Sequence, residues 1–412
     1  MGMPPTLWNR SFVIWLLGTA QSQLGSALAG IALSFLVLHQ TGSAGQMALT
    51  LACALAPNLL LPLAGAVVDR MNLKVPLIGA DVARGLLQLT VGGLALAWGE
   101  VPLWLVNGAA VLTGLAGIFA GPASSAAVPA LVPEQELTRA NGLIGGVSQG
   151  AWLLGTLVGG YLVTAFSPAL AIVLDGLSFL VMGALLVLVT LLPRERSSET
   201  SESLLDSVIS GLQLMRRSRV LLFLPVIALL LNASLAPVQV LLPKLLLGGA
   251  GAAGYGQYLA AESAGMLAAS ALLAWIGARL PLRRTVTLGL ALLGGALFLL
   301  LQFAAPPALL GVGALMGVAI ASVNTPITTL MQQMVPPAFL GRTFSVLMTV
   351  ATLGMPVTLL ALAPVVDRYP AALFFNVAGG VTLLMALAWT VVALSERKAP
   401  DLMPKSQKAG AS

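Results

Sequence analysis

Apolar runs near residues 11–38, 46–68, 75–98, 102–131, 139–166, 169–192, 220–247, 254–278, 284–304, 307–335, 341–366 and 371–394 follow one another through this chain, separated by short polar breaks and one longer one after the sixth. A helix needs roughly 20 apolar residues to cross a hydrocarbon core about 30 Å thick, and every run is that long. No ten-residue alternation of the barrel kind is present, so the spans are helical. Composition agrees. With 58% hydrophobic and 8% charged residues, the chain falls far below the roughly 25% charged content of an ordinary soluble protein.

The lysines and arginines fall almost wholly on one side of these spans. Arg10, Arg70, Lys74, Arg139, Arg194, Arg196, Arg216, Arg217, Arg219, Arg279, Arg283, Arg284, Arg342, Arg397 and Lys398 share that side, whereas only Lys244 and Arg368 occupy the other. The positive-inside rule then expects both termini in the cytoplasm. The sequence pI of 9.9 follows from this topology, and no aromatic-basic platform for nucleic acid accompanies the scattered cations. The first span lacks a small-residue cleavage site and reads as retained. Cys53 is the single cysteine, which excludes an intrachain disulfide, and His39 is a lone histidine at a span end, so no metal framework or cofactor is expected.

The long break, residues 194–219, begins RERSSETSES and then carries Leu204, Leu205, Val208, Ile209, Leu212 and Met215 at helical spacing. A short amphipathic helix on the membrane surface is expected there, opened by Ser203 and Asp206 in the manner of a capping box. On either side of it the chain repeats. Val132-Pro133, Leu137 and Arg139 recur at identical spacing as Val335-Pro336, Leu340 and Arg342, and Arg70, Leu73 and Lys74 recur as Arg279, Leu282 and Arg283. The expectation is an all-α membrane protein with twelve transmembrane helices in two pseudo-symmetric six-helix bundles. Residues 1–193 form the first bundle, 194–219 the linker, 220–397 the second bundle and 398–412 a cytoplasmic tail. Parallel repeats of this kind are a transporter architecture.

The loop between the second and third spans, GAVVDRMNLK from Gly65 to Lys74, is similar to the signature G-x-x-x-D-R-x-G-R-[RK] of the major facilitator superfamily. Asn72 stands where that motif has glycine and Leu73 where it has its first basic residue. In the fifth span Gly142, Gly155, Gly159 and Gly160 match four of the six positions of the superfamily's proton-antiporter motif, with Ala151 and Thr156 departing from it. Small residues at this spacing also serve plain helix packing. The segment FAGPASSAAVPALVPEQELTRANGL, with Pro122, Pro129, Pro133 and Asn141, resembles the macrolide and siderophore exporter branch.

The resemblance implies alternating access, with Asp69, Arg70, Lys74, Asp81, Arg84, Arg139 and Arg342 as gating residues. Asp69 would face the start of the eleventh helix near Gly341 and Arg342, where a helix N-terminus favours an anion. Asp81 and Arg84, three apart on one helical face, can pair beside that loop. The superfamily lines its cavity from the first, fourth, seventh and tenth helices, which here offer Gln21, Gln23, Asn107, Asn232, Gln239 and Asn324, with Phe35 and Met316 among apolar neighbours.

An acid within a span costs about 2.5–3.5 kcal/mol on insertion scales, so each one invites a reason. Glu262 lies about 12 Å into the eighth span at 1.5 Å per residue. Its repeat counterpart is Cys53, so the scaffold itself does not demand a carboxylate there, and Glu262 is the first candidate proton carrier. Asp175, whose counterpart lies near Asn376, is the second, with a hydrogen-bonding role in view. The expected function is proton-coupled export of small amphipathic compounds, such as drugs or siderophores, by a monomer in the cell inner membrane. Its partners would be a small-molecule substrate, protons and membrane lipids, with no nucleic acid. Coupled or facilitated uptake and a non-transport scaffold are the competing readings. An intramembrane enzyme is a further reading, against which the expectation is that no Walker, H-E-x-x-H or G-x-S-x-G motif is at work.

Overall fold

The computed structural model describes residues 6–68, 70–191, 204–277, 281–302 and 306–396. Asp69, Arg279 and the polar start of the linker lie outside the described residues. The described chain is helical throughout, with fourteen α-helices and no strand. In order they are α1 (Arg10–Thr41), α2 (Ala44–Leu55), α3 (Leu61–Val68), α4 (Lys74–Trp98), α5 (Leu103–Ala127), α6 (Leu137–Ala165), α7 (Pro168–Leu188), α8 (Leu204–Met215), α9 (Arg219–Leu246), α10 (Gly251–Ile276), α11 (Leu282–Leu299), α12 (Pro306–Met334), α13 (Pro337–Leu362) and α14 (Ala371–Ser395).

Eleven of these are long and apolar enough to cross a membrane. The twelfth span, second in the chain, is segmented: α2 passes through a 3-10 turn at Ala56–Leu60 into α3. Pro57 opens that turn and Pro62 follows at the head of α3, each removing a backbone donor from the regular ladder, and a proline-driven break at this point is the physical reason. The protein is therefore a multi-pass membrane protein of twelve helical spans.

Helix ends follow local chemistry. Asn9 and Ser43 cap α1 and α2 by accepting from the Phe12 and Gln46 N–H groups, and Ser167 caps α7 through Leu170. Asn9 also donates to the Leu131 carbonyl at 2.8 Å, which ties the start of α1 to the end of the fourth span.

Contacts divide the chain into two compact units. One holds Met1–Ser198 with Gln239–Ser263 and Leu359–Arg368, so it draws in pieces of α9, α10 and α13 from the second half of the chain. Within it α4 packs on α7, and α1 on both α6 and α7. A buried apolar cluster at its basic end gathers Phe12, Trp15, Leu73, Leu77, Leu131 and Leu186. Leu73, standing where the superfamily motif has a basic residue, thus replaces a charge with packing. The other unit holds Glu199–Val238, Ala264–Thr358 and Tyr369–Ser412, in which α11 packs on α12 and α14.

The linker helix α8 belongs to the second unit. Its Leu214 and Met215 are buried, and Arg342 donates to Ser210 at 3.4 Å. The sequence expectation of a helix on the membrane surface omitted this docking, because a helical period shows an apolar face without showing what covers it.

Candidate functional site

Glu262 sits deeper than the sequence suggests. Because α10 starts at Gly251 and runs for 26 residues, Glu262 lies at its middle, about 16 Å along the axis from its start. It shares a helical face with Tyr255 and Tyr258, and the buried Tyr258 hydroxyl is its hydrogen-bond partner. The two tyrosine rings stack at 6.3 Å, and Tyr255 meets Phe35 of α1 at the same separation. Phe35, expected to line an open cavity, is instead buried in this aromatic row.

The glycines of the antiporter-like motif lie beside the same row. A Cβ on Gly155 would come within 2.6 Å of the Leu24 carbonyl, and one on Gly159 within 2.8 Å of the Leu28 Cα. Gly160 abuts Gly256 of α10, where an added Cβ would lie 3.0 Å from the facing Cα. Close backbone approach is what small residues permit. The crossing is completed by Thr164, which accepts from the Ala253 N–H at 3.0 Å, and by Gln257, which donates to the Tyr161 hydroxyl. Gly142 has open space around it and takes no part.

A second contact at this end of the unit was not foreseen from the sequence. Asp367, in the turn between α13 and α14, accepts from the Ser43 hydroxyl at 2.6 Å, from the Ala44 N–H at 3.0 Å and from the Gly45 N–H at 2.9 Å. Lys244 at the end of α9 adds an ion pair. A carboxylate here meets the exposed amides of a helix N-terminus and a cation together. Burial alone would raise its pKa, but hydrogen bonds from Lys244, Ser43 and the two amides outweigh it and hold the group at about 2. The available signals were the Ser43-x-x-Gln46 capping box and the rarity of charge on this side; neither identifies Asp367 as a partner.

Asp175 is buried at a junction of three helices. Gln88 of α4 donates to it at 3.1 Å, Ser178 at 3.4 Å, and Gly25 of α1 presses against it. It lines a cavity of about 450 Å³ with Gln23, Asn58, Arg84, Gln88 and Phe179. Arg84 does not form the expected ion pair with Asp81. Its guanidinium lies 5.2 Å from the Phe179 ring centre and fills the space left by Gly117 of α5, while its Nε is buried without a hydrogen-bond partner. The guanidinium is beyond ion-pair distance of Asp81 but keeps Coulombic attraction to it and to Asp175, and the Phe179 ring adds a cation–π contact.

Of the six candidate cavity amides only Gln23 lines this space. Asn107 accepts from Thr50 at 2.7 Å, Asn232 donates to the Ala228 carbonyl of its own helix at 2.8 Å, and Gln21 leaves a buried oxygen unpaired. Gln239 is half-buried and Asn324 exposed.

Among the candidate gating residues, Arg70 is exposed, and among the described residues Arg139 pairs with Glu136 at 3.8 Å in an exposed ion pair. Lys74 donates to the Val187 carbonyl at the end of α7, and Asn72 accepts from the Lys74 N–H, supplying a polar turn where the motif has glycine. One expectation needs correcting: Gly146-Val147-Ser148-Gln149-Gly150 does spell the G-x-S-x-G pattern of hydrolases, but it lies inside α6. A nucleophile elbow needs a strand-to-helix turn, so Ser148 carries no such role.

Comparison with known proteins gives these features a setting. The family model of the Major Facilitator Superfamily matches residues 15–355 and 240–411. The multidrug efflux pump Tap of Mycobacterium tuberculosis is 27% identical over 328 residues, covering 75% of this chain and 76% of that protein. Macrolide efflux protein A of Streptococcus pyogenes is 24% identical over 245 residues, 58% of this chain and 59% of its own length, so this chain matches less than two thirds of that relative. Among solved structures, the nucleoside transporter NupG aligns with a TM-score of 0.76 at 11% identity, covering 93% of this chain and 99% of that one. A bacterial homologue of the iron transporter ferroportin aligns at 0.67 and 18% identity, covering 94% and 98%. At such identities these two likenesses concern the fold. With the family model spanning most of its length, the chain belongs to the Major Facilitator Superfamily of membrane transporters.

Proposed function

We propose that the protein is a proton-coupled exporter of small amphipathic compounds, acting as a monomer in the cell inner membrane with both termini in the cytoplasm. The observation that carries this reading is Glu262: a carboxylate at the middle of a span, on one face with an aromatic row, at a position whose repeat counterpart is a half-buried cysteine. A scaffold that tolerates Cys53 there has no structural need of an acid, and a carboxylate kept in a membrane span is a functional residue by default. The efflux activities in the names of the two curated relatives support export over uptake.

In the proposed cycle, protonation of Glu262 changes its bond with Tyr258 and loosens the aromatic row that joins α1 to α10. The glycine-lined crossing of α6 with α10 and the corner around Asp367 part together when this end opens. Asp367 itself, with its pKa held at about 2, stays ionised throughout the physiological range and so acts as a latch that does not sense protons. Asp175, hydrogen-bonded beside Arg84, is the secondary proton site.

The test is substrate-evoked proton flux in proteoliposomes carrying an internal pH dye, screened with lipophilic cations, macrolides and siderophores. The wild type should couple, and Glu262→Gln should lose at least about tenfold of the coupled flux, a barrier change of about 1.4 kcal/mol. Unchanged coupling in the variant would overturn the role of Glu262. Solute and proton moving in the same direction would overturn export.

A further inference from the structure

The second unit contains a cleft of about 1180 Å³ between α10, α11, α12 and α14. Its polar lining residues include Arg283, Arg284, Thr325, Thr329 and Gln333, and its apolar ones Leu273, Leu330 and Leu394. Among the described residues that line it there is no carboxylate.

The two arginines differ in what they do. Arg283 donates to the Ala393 and Glu396 carbonyls at the end of α14. Its repeat counterpart Lys74 does the same for the Val187 carbonyl at the end of α7. A cation that satisfies the last carbonyls of the neighbouring helix is thus part of the scaffold in both halves. Arg284 has no such explanation. Its repeat counterpart is Val75, and Thr287, which also lines the cleft, corresponds to Ile78. The Arg284 side chain bonds no described residue, and neither does the side chain of Gln333 on the adjoining α12.

These features favour a ligand that is anionic at one end and apolar at the other. Leu272 and Trp275 of α10 and Val391 and Leu394 of α14 flank the cleft as exposed apolar side chains, so it opens on a surface that faces lipid. Trp275, beside the lining residue Ala274, is 84% exposed, and tryptophan prefers the level of the lipid headgroups. A guanidinium with an amide donor beside it suits a phosphate group.

We propose that this cleft binds an anionic phospholipid, its phosphodiester held by Arg284 together with Gln333 at the same end of the cleft, and an acyl chain lying along Leu273, Leu330 and Leu394. The site belongs to the second half alone, because the first half has valine and isoleucine at the corresponding positions of its third span. It does not depend on the direction of transport or on Glu262.

The experiment is native mass spectrometry of the purified full-length protein equilibrated with equal amounts of dioleoyl phosphatidylglycerol and dioleoyl phosphatidylcholine. The wild type should retain the phosphatidylglycerol preferentially. Arg284→Ala should reduce that preference roughly fivefold, the weight of one arginine at an anionic surface, and Arg284→Lys should keep most of it. Gln333→Leu, which removes an amide without touching charge, should weaken retention of both lipids. Equal retention of the two lipids by the wild type, or an unchanged preference in Arg284→Ala, would overturn the proposal. So would displacement of bound lipid by glycerol 3-phosphate, since the cleft would then be a site for soluble phosphates.

Discussion

In the loop Gly65–Lys74 the described cations act singly: Arg70 is exposed, and Lys74 serves one carbonyl of α7. At the corner around Asp367 four donors from α2, its cap and α9 converge on one carboxylate. Both places apply the same electrostatics, a charge set against a helix end, yet they differ in how many partners share it. A single exposed contact is worth a few tenths of a kcal/mol to about 1, whereas charge-assisted bonds made together by preorganised amides reinforce one another. The corner should therefore hold its end of the unit shut, and the loop should tolerate change.

The largest effect is expected from Asp367→Ala. Removing the shared acceptor should cost about 2 kcal/mol, at the lower part of the range for hydrogen bonds to charged groups because the site is partly exposed. Hydrogen exchange at the Ala44–Met47 amides should then accelerate roughly 30-fold. The pH dependence has a definite sign. With the folded-state pKa lowered from 3.8 to about 2, the contribution is complete above pH 3.8 and disappears as pH falls through about 2. Exchange at these amides should accordingly stay constant between pH 5 and 8 once the intrinsic rate is divided out. A step near pH 6 would show that the corner senses protons and would break the distinction drawn between it and Glu262.

Ser43→Ala comes next. The hydroxyl caps α2 and donates to Asp367, and loss of an N-cap typically costs about 1 kcal/mol, so exchange at the same amides should rise roughly fivefold. Lys244→Met should do less, about twofold, since the pair is about one third exposed on each side, and half a molar salt should mask the difference. If Lys244 proved the stronger of the two, the corner would be an ion pair with a helix nearby rather than an anion held by a helix N-terminus.

This comparison also shows where sequence reasoning reaches. Span positions follow from runs of apolar residues, and the basic loops from charge, because both are local in the chain. Even the segmented second span has a local sign in Pro57 and Pro62. Asp367 and Ser43 are 324 positions apart, and nothing local to either names the other. Arg84 illustrates the opposite failure: its spacing from Asp81 invites a pair on one helix, but the guanidinium lies against Gly117 and Phe179 of other helices, beyond ion-pair distance. Glu262 was visible as an isolated acid, whereas its depth required the true start of α10, three residues earlier than the apolar run suggested.

The smallest effects belong to the loop. Arg70→Ala removes an exposed side chain that bonds nothing among the described residues, and such changes usually fall within 0.5 kcal/mol. Lys74→Met keeps the aliphatic stem but removes one donor from the end of α7, so a slightly larger shift is expected, of about 0.5–1 kcal/mol. Thermal unfolding in detergent should therefore rank Asp367→Ala below Lys74→Met, and Lys74→Met below Arg70→Ala, with the last indistinguishable from the wild type. Because Arg283 makes two such contacts at the end of α14 and is less exposed, Arg283→Met should lose somewhat more than Lys74→Met. A much larger loss at Arg70 would mean that this loop holds a partner through its arginine, and the resemblance of GAVVDRMNLK to the superfamily signature would then carry more of the protein's stability than its described contacts do.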